Sequence, residues 1–231
     1  MDPFYNLQWY LNNDGLANTL GYDLKKKFAD IGAEAAWVLA NGGTGIKIAL
    51  IDPDFSVHPD YTNNIRISTV SSGGALLLKS KNPPNSDRDK SKLVSPTTPS
   101  TEPSHGTAIL GIVGAEKNGT GLQGIAYNGE LIPIMMPINS KRDLLPYALK
   151  YASDPRTLFT GANVNDAADV INMSFGDESN TGISDDLTEA LAWATVYGRK
   201  GKGNIIIWSV SNSYKKLIND DAIAQSNRIL K

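Results

Sequence analysis

The sequence predicts an α/β fold with three layers: a mostly parallel sheet with helices on both faces. Three observations carry this prediction. Short β-branched runs bounded by turn residues recur along the chain, which is how buried parallel strands read. Helical patterns lie between most of them, and strands alternating with helices return to one sheet by right-handed crossovers. The length of 231 residues suits one such domain, large enough to bury most of its apolar side chains.

The elements follow in order. Residues 28–40 (FADIGAEAAWVLA) have a helical pattern that stops at Asn41-Gly42-Gly43. The first strand is 46–51 (IKIALI), running into Asp52, and the second is 65–70. Residues 79–104 hold five of the twelve prolines, many polar residues and only Leu93 and Val94 as sizeable apolar ones. They predict a flexible surface loop within one domain spanning 1–231, because both flanks belong to the same alternating pattern. A helix follows, capped by Ser104 and starting at His105, with Ile109, Ile112 and Val113 as its expected buried stripe. Strands are predicted at 131–136, 169–174 (DVINMS) and 204–210 (NIIIWSV). Between the last two, residues 184–200 open with Ser184, Asp185 and Asp186, place Leu187, Leu191 and Ala194 on one face, and close on Arg199, Lys200 and Gly201.

Composition removes several classes of function. The net charge is −2 with scattered basic residues, which argues against a surface that tracks nucleic-acid phosphates. There is no cysteine, hence no disulfide framework, thiol nucleophile or cysteine-ligated zinc. No charged leader with an apolar core and no apolar run of spanning length is present, so neither a signal peptide nor a membrane partner is expected from these residues. The run Gly119-Thr-Gly121-Leu-Gln-Gly124 spells a dinucleotide fingerprint, but that fingerprint needs a strand before it and a helix after it. Here the order is reversed. A nucleotide-dependent enzyme is therefore disfavoured.

Four residues are candidates for chemistry. Asp52 ends a buried strand, where open α/β sheets place their ligands, although aspartate is also a common turn former. His105 sits at a helix start, where the dipole favours a neutral, basic imidazole; a structural histidine reads the same way. Asn212 follows another strand, as either an oxyanion donor or a turn residue. His58, before Pro59, reads as a loop residue. Asp52 and Asn212 leave the same sheet edge, and the helix of His105 begins beside it. A carboxylate that orients an imidazole, an imidazole that moves a proton, and an amide that holds negative charge would make one site.

At these residues the chain resembles the subtilisin-like serine proteases, and the kexin and proprotein-convertase branch more than the bacterial subtilisins. IALIDPDFSVHPDY resembles the motif of the acid, with Asp52 in that position, and His105-Gly106-Thr107-Ala-Ile-Leu-Gly111 matches His-Gly-Thr-x-x-x-Gly. DVINMSFG resembles the substrate-lining segment, which gives Ser174, Phe175 and Gly176 as substrate-binding residues. IIIWSVSN resembles the strand leading to the oxyanion asparagine, here Asn212, and DPFYNLQWYLNN resembles the start of mature convertase-type domains. The resemblance implies a serine endopeptidase acting on peptide or protein substrates, with a propeptide as a further partner and a secreted or periplasmic location. It also implies a calcium ion held by Asp2 and Asp60, the Asn118 side chain, and the main-chain oxygens of Glu116, Thr120 and Leu122.

The chain departs from the pattern in several places. Asp52-Pro53-Asp54 stands where the family has Asp-Ser/Thr-Gly or Asp-Asp-Gly, and Ser211 and Ser213 replace the glycines flanking the asparagine. The family nucleophile lies in Gly-Thr-Ser-x-Ala, which does not occur up to Lys231. The expectation is an incomplete catalytic domain, its C-terminal part absent from the chain and inactive by itself. The alternative is a non-catalytic pseudoprotease serving as a binding or scaffold module.

Overall fold

The computed structural model describes residues 2–13, 30–56, 58–66, 76–77, 104–136, 141–158, 162–176 and 183–209. A parallel sheet of five strands organises them: β1 (Lys47–Asp52), β2 (Leu76–Leu77), β3 (Glu130–Met135), β4 (Val170–Met173) and β5 (Ile205–Trp208), in the order β2-β3-β1-β4-β5. β1 is central, and five of its six residues are buried. That is why it reads as a continuous apolar run rather than an alternating one.

Alternation reappears in which face each β1 residue supplies. Ile48 and Leu50 join Leu110 of helix α2 (His105–Gly114), together with Phe55, Tyr61 and Leu131. Ala49 and Ile51 join the opposite cluster, against Leu144, Ala148 and Leu149 of α3 (Lys141–Ser153) and Leu187, Ala190 and Leu191 of α4 (Asp185–Gly201). The period of two in a strand thus feeds two cores. Each fully buried side chain such as Leu50 contributes roughly 1.5–3 kcal/mol. A smaller cluster of Tyr5, Leu11 and Ala33, with Trp37 of α1 (Ala33–Ala40), joins the N-terminal segment to the body.

The three-layer α/β expectation is met, with several corrections to detail. The strands at 46–51, 131–136, 169–174 and 204–210 are found within about two residues of their predicted bounds as far as they are described. In the predicted strand 65–70, Ile65 forms only an isolated bridge to Leu131, and 67–70 lie outside the described residues. The strand on that edge is β2, too short to carry a periodic signal. The expected stripe of α2 is wrong at Ile112, which is 36% exposed; the buried positions are Gly106, Leu110, Gly111 and Gly114. The glycines let the helix lie close on the sheet, and that rotates the contact face away from Ile112. α3 spans Lys141–Ser153 despite Pro146, and α4 ends in a turn whose Arg199 and Lys200 are left-handed. The first helix begins only at Ala33, because Gly32 before it is left-handed; the described residues 30–32 of the predicted 28–40 helix are not helical. Residues 79–103 of the expected loop lie outside the described set. Among the described residues no helix is long and apolar enough to cross a membrane.

Candidate functional site

The parity that feeds the two cores also aims Asp52. It follows Ile48 and Leu50 on the α2 side of β1, at the carboxyl end of the sheet, and its side chain is 2% exposed. α2 begins at this edge with His105, and Nδ1 lies 2.8 Å from Asp52 Oδ2. An ionised carboxylate only accepts, so beside ionised Asp52 the contact calls for a proton on Nδ1, and in a neutral ring that leaves the lone pair on Nε2. The His105 side chain is 57% exposed, so the imidazole is reachable from outside while its acid is not.

Burial pushes the Asp52 carboxyl up from its ordinary value. The imidazole pulls the other way through charge and hydrogen bond, and the nearby Asp54 charge adds to the upward push. Asp52 Oδ1 is buried and makes no hydrogen bond. The two side chains meet through this one contact, and the Asp54 backbone amide adds a further downward pull on the Asp52 carboxyl.

The start of α2 is held by the expected Ser104 cap and by Asp54, whose part in it the sequence does not reveal. Ser104 is the helix cap, accepting from Thr107 N at 3.3 Å. Its hydroxyl donates to Asp54 Oδ1 at 3.0 Å, and Gly106 N donates to the same oxygen at 3.2 Å. A Cβ on Gly106 would lie 2.0 Å from the Asp54 carbonyl, so the loop leaving β1 presses directly on the first turn. The sequence signal was present in Pro53-Asp54, a departure from a motif that has glycine there.

Of the other candidates, Ser174, Phe175 and Gly176 follow β4, which pairs with β1 through Ile51 and Met173, so the segment leaves the sheet beside Asp52. Asn172 Nδ2 donates to Ser174 Oγ at 2.8 Å. The Phe175 ring is buried edge-on against Trp208, whose Nε1 donates to the Phe175 carbonyl at 2.7 Å. This segment offers backbone and small side chains to the edge, not the phenyl ring. Asn212, Ser211 and Ser213 lie outside the described residues. His58 is a turn residue: Asp60 N donates to its Nδ1 at 3.2 Å and its ring lies against Tyr61.

A second polar centre lies on the loop between α2 and β3. Asp2 Oδ1 accepts from Asn118 N at 3.1 Å and Gly119 N at 2.6 Å, and Asp60 Oδ2 accepts from Leu122 N at 2.9 Å. Asp2 Oδ2 and Asp60 Oδ1 are buried without a hydrogen-bond partner. Burial first, and then the charges of Asp2 and Glu116, push the Asp60 carboxyl up, against the pull of the Leu122 amide and of His58. Gly121 is left-handed at φ +61°, and a Cβ there would lie 2.4 Å from Asp60 Oδ2. Glu116 uses its side chain elsewhere, accepting from Asn63 N and Nδ2 at 2.7 and 2.8 Å. Asn118 Oδ1 accepts from Thr120 N at 2.9 Å and keeps a second lone pair.

This donor set suits a hard cation. Among the described residues no group of three or more His, Cys, Asp or Glu gathers, so nitrogen and sulfur metals have no cage. The two buried carboxylate oxygens without a hydrogen-bond partner, Asp2 Oδ2 and Asp60 Oδ1, are hard donors of the kind calcium takes.

Residues 43–227 match the model of the S8 peptidases, described as the subtilase family. Neuroendocrine convertase 2 of Caenorhabditis elegans is 28% identical over 214 residues, covering 90% of this chain and 28% of the relative. A calcium-dependent protease of Nostoc sp. is 27% identical over 230 residues, covering 94% of this chain and 29% of the relative. The chain thus spans under a third of the length of these relatives. In structure it is similar to a protease of Pseudoalteromonas arctica, with TM-score 0.58 and 22% identity, covering 89% of this chain and 57% of that one. It is also similar to the Aeromonas sobria serine protease, solved with the chaperone ORF2, with TM-score 0.55 and 22% identity, covering 89% and 31%.

Proposed function

The chain belongs to the subtilase family, and from that premise we propose that residues 1–231 carry the acid and base of a serine endopeptidase site. The observation that supports this most is the 2.8 Å contact between His105 Nδ1 and a buried Asp52 at the carboxyl edge of the sheet. Asp52 holds the Nδ1 proton in place and stabilises the imidazolium that forms. Nε2 takes the proton of a serine hydroxyl as it attacks a peptide carbonyl, then returns it to the leaving amine. Asn212 donates to the oxyanion, and the backbone of Ser174–Gly176 aligns the substrate. No residue of the 231 is assigned as the nucleophile, because Gly-Thr-Ser-x-Ala does not occur among them.

In the same reading, Asp2, Asp60 and the Asn118 side chain, with main-chain oxygens of Glu116, Thr120 and Leu122, would hold calcium, which would supply charge neutralisation and cross-linking. These residues would then tie 2–13 to loop 116–123, which Gln8 already links by accepting from Gln123 N at 2.9 Å and donating to Gln123 O at 2.8 Å. The names of the relatives favour an extracellular setting and calcium, one being an extracellular serine protease and another a calcium-dependent protease. The chaperone bound to the Aeromonas protease makes a propeptide-like partner the natural one to seek.

The test reads the coding frame beyond codon 231. The expected result is a downstream Gly-Thr-Ser-x-Ala and a longer protein that cleaves a peptide substrate, is labelled by a serine-directed phosphonate, and loses about 10²–10⁴-fold in kcat as His105→Ala. The 231-residue polypeptide alone is expected to give neither turnover nor label. A stop codon at 232, with no turnover in any form, would replace this reading with the binding or scaffold module. Serine-inhibitable turnover by the 231 residues alone would overturn the assignment of the nucleophile elsewhere.

A further inference from the structure

We propose that Asp54 is a positioning residue for His105: its carboxylate clamps the first turn of α2 to the loop leaving β1, and so holds the imidazole against Asp52. His105 is itself the first residue of its helix. The first turn is where backbone donors lack partners within the helix and where a helix frays most readily. Here two of those donors are held by named groups. Gly106 N goes to Asp54 Oδ1 and Thr107 N to Ser104 Oγ.

The hydroxyls complete a network with a fixed direction. Ser56 N donates to Thr107 Oγ1 at 2.8 Å, Thr107 Oγ1 donates to Ser104 Oγ at 3.0 Å, and Ser104 Oγ donates to Asp54 Oδ1 at 3.0 Å. Each hydroxyl gives its one proton and accepts elsewhere, so the chain of bonds has one orientation and ends on the carboxylate. That negative charge also sits at the positive end of the α2 dipole. The outer side of His105 is open to solvent, and among the described residues the polar contact of its ring is Asp52. The distance between Nδ1 and Oδ2 therefore depends on where the first turn is held, and Asp54 Oδ1 is where two of its bonds converge. In the motif this segment resembles, a glycine occupies the position and offers no such acceptor.

The charged groups facing His105 among the described residues are Asp52, from β1, and Asp54, from the loop after it. Asparagine at 54 separates their two possible contributions, because it keeps an oxygen acceptor and removes the charge. In the 231-residue protein labelled with ¹⁵N-histidine, the readout is the Nδ1 proton of His105 and its exchange with solvent. Asp54→Ala is expected to speed that exchange about tenfold, the loss of two hydrogen bonds, while Asp54→Asn stays within about twofold of the parent. Unchanged exchange in Asp54→Ala overturns the proposal, and so does equal acceleration in the two variants, which would assign the effect to charge. Should Asp54→Ala fail to fold, Ser104→Ala removes one of the two bonds to Oδ1, and no acceleration there overturns the proposal as well. Asp52→Ala, which removes the acceptor itself, distinguishes this from the reading it rests on. Persistence of the same protected proton signal in that variant would sink the acid–base pair, whatever Asp54 does.

Discussion

Two corners of this molecule bury carboxylates to the same depth and treat them differently. Asp52 is 1% exposed, and Asp2 and Asp60 are 2% and 3% exposed. Each keeps one buried oxygen without a hydrogen bond, and burial is the main force raising the carboxyls of Asp52 and Asp60. At the first corner the answering group is an imidazole, which can hold or release a proton. At the second it is a set of backbone amides, with no ion pair to either carboxylate among the described residues. On the proposed reading, the same acid in the same degree of burial serves proton transfer in one place and a cation in the other. The partner decides.

The largest effect expected from breaking this comparison comes from the glycine at each corner. Alanine at Gly106 would meet the Asp54 carbonyl at 2.0 Å, a backbone atom with nowhere to go. It should destabilise by about 3 kcal/mol or more, lowering the melting temperature by about 6–12 °C. Alanine at Gly121 meets the Asp60 carboxylate at 2.4 Å with φ +61°, costing about 1–3 kcal/mol because a side chain can yield. Thermal unfolding of both variants checks the order. A mild Gly106→Ala would mean that the loop after β1 does not press on α2 as described.

Next in size is the response to calcium. At a concentration about 100 times its Kd, a ligand of the folded state alone adds about 2.7 kcal/mol, or about 5–10 °C for a chain of this length. That rise should appear in the parent, persist in Asp52→Asn and vanish in Asp60→Asn. A calcium shift surviving in Asp60→Asn would erase the distinction between the corners.

The reasons one corner was legible in the sequence and the other less so are physical. β1 is buried on both faces and reads as an apolar run, so its end at Asp52 was visible from residue types alone, and the Ser104 cap marked the start of α2. The pairing of Asp52 with His105 followed from topology: both had to arrive at one sheet edge. Contact details did not follow. Ile112 was misplaced because the approach of α2 is set by glycines, which leave no trace in an apolar pattern. Asp54 was noticed only as a departure, since a side-chain acceptor to a helix start looks like any loop carboxylate until the two segments meet. The Glu116 side chain bonds to Asn63, a contact between loops with no periodic signal. The second corner was visible only through spacing from His105 and a family resemblance, because the main-chain oxygens proposed there carry no residue signature.

The smallest expected effect is the most discriminating. Burial raises the Asp60 carboxyl above the ordinary 3.8, so the folded chain binds that proton more tightly than the unfolded chain does. Between 3.8 and the raised value the folded state carries the extra proton, and stability falls as pH rises through that window. Without calcium, the parent should therefore lose ground to Asp60→Asn as pH climbs past 3.8, measured as the difference between their urea midpoints. Calcium binds the ionised form and should reverse the sign of that difference. The Asp52 corner has the same raised carboxyl, and so the same fall against Asp52→Asn, but its partner is the His105 imidazole. Its difference should be indifferent to the ion. If calcium reversed both slopes, or neither, the contrast between a carboxylate kept for an imidazole and one kept for a metal would fail.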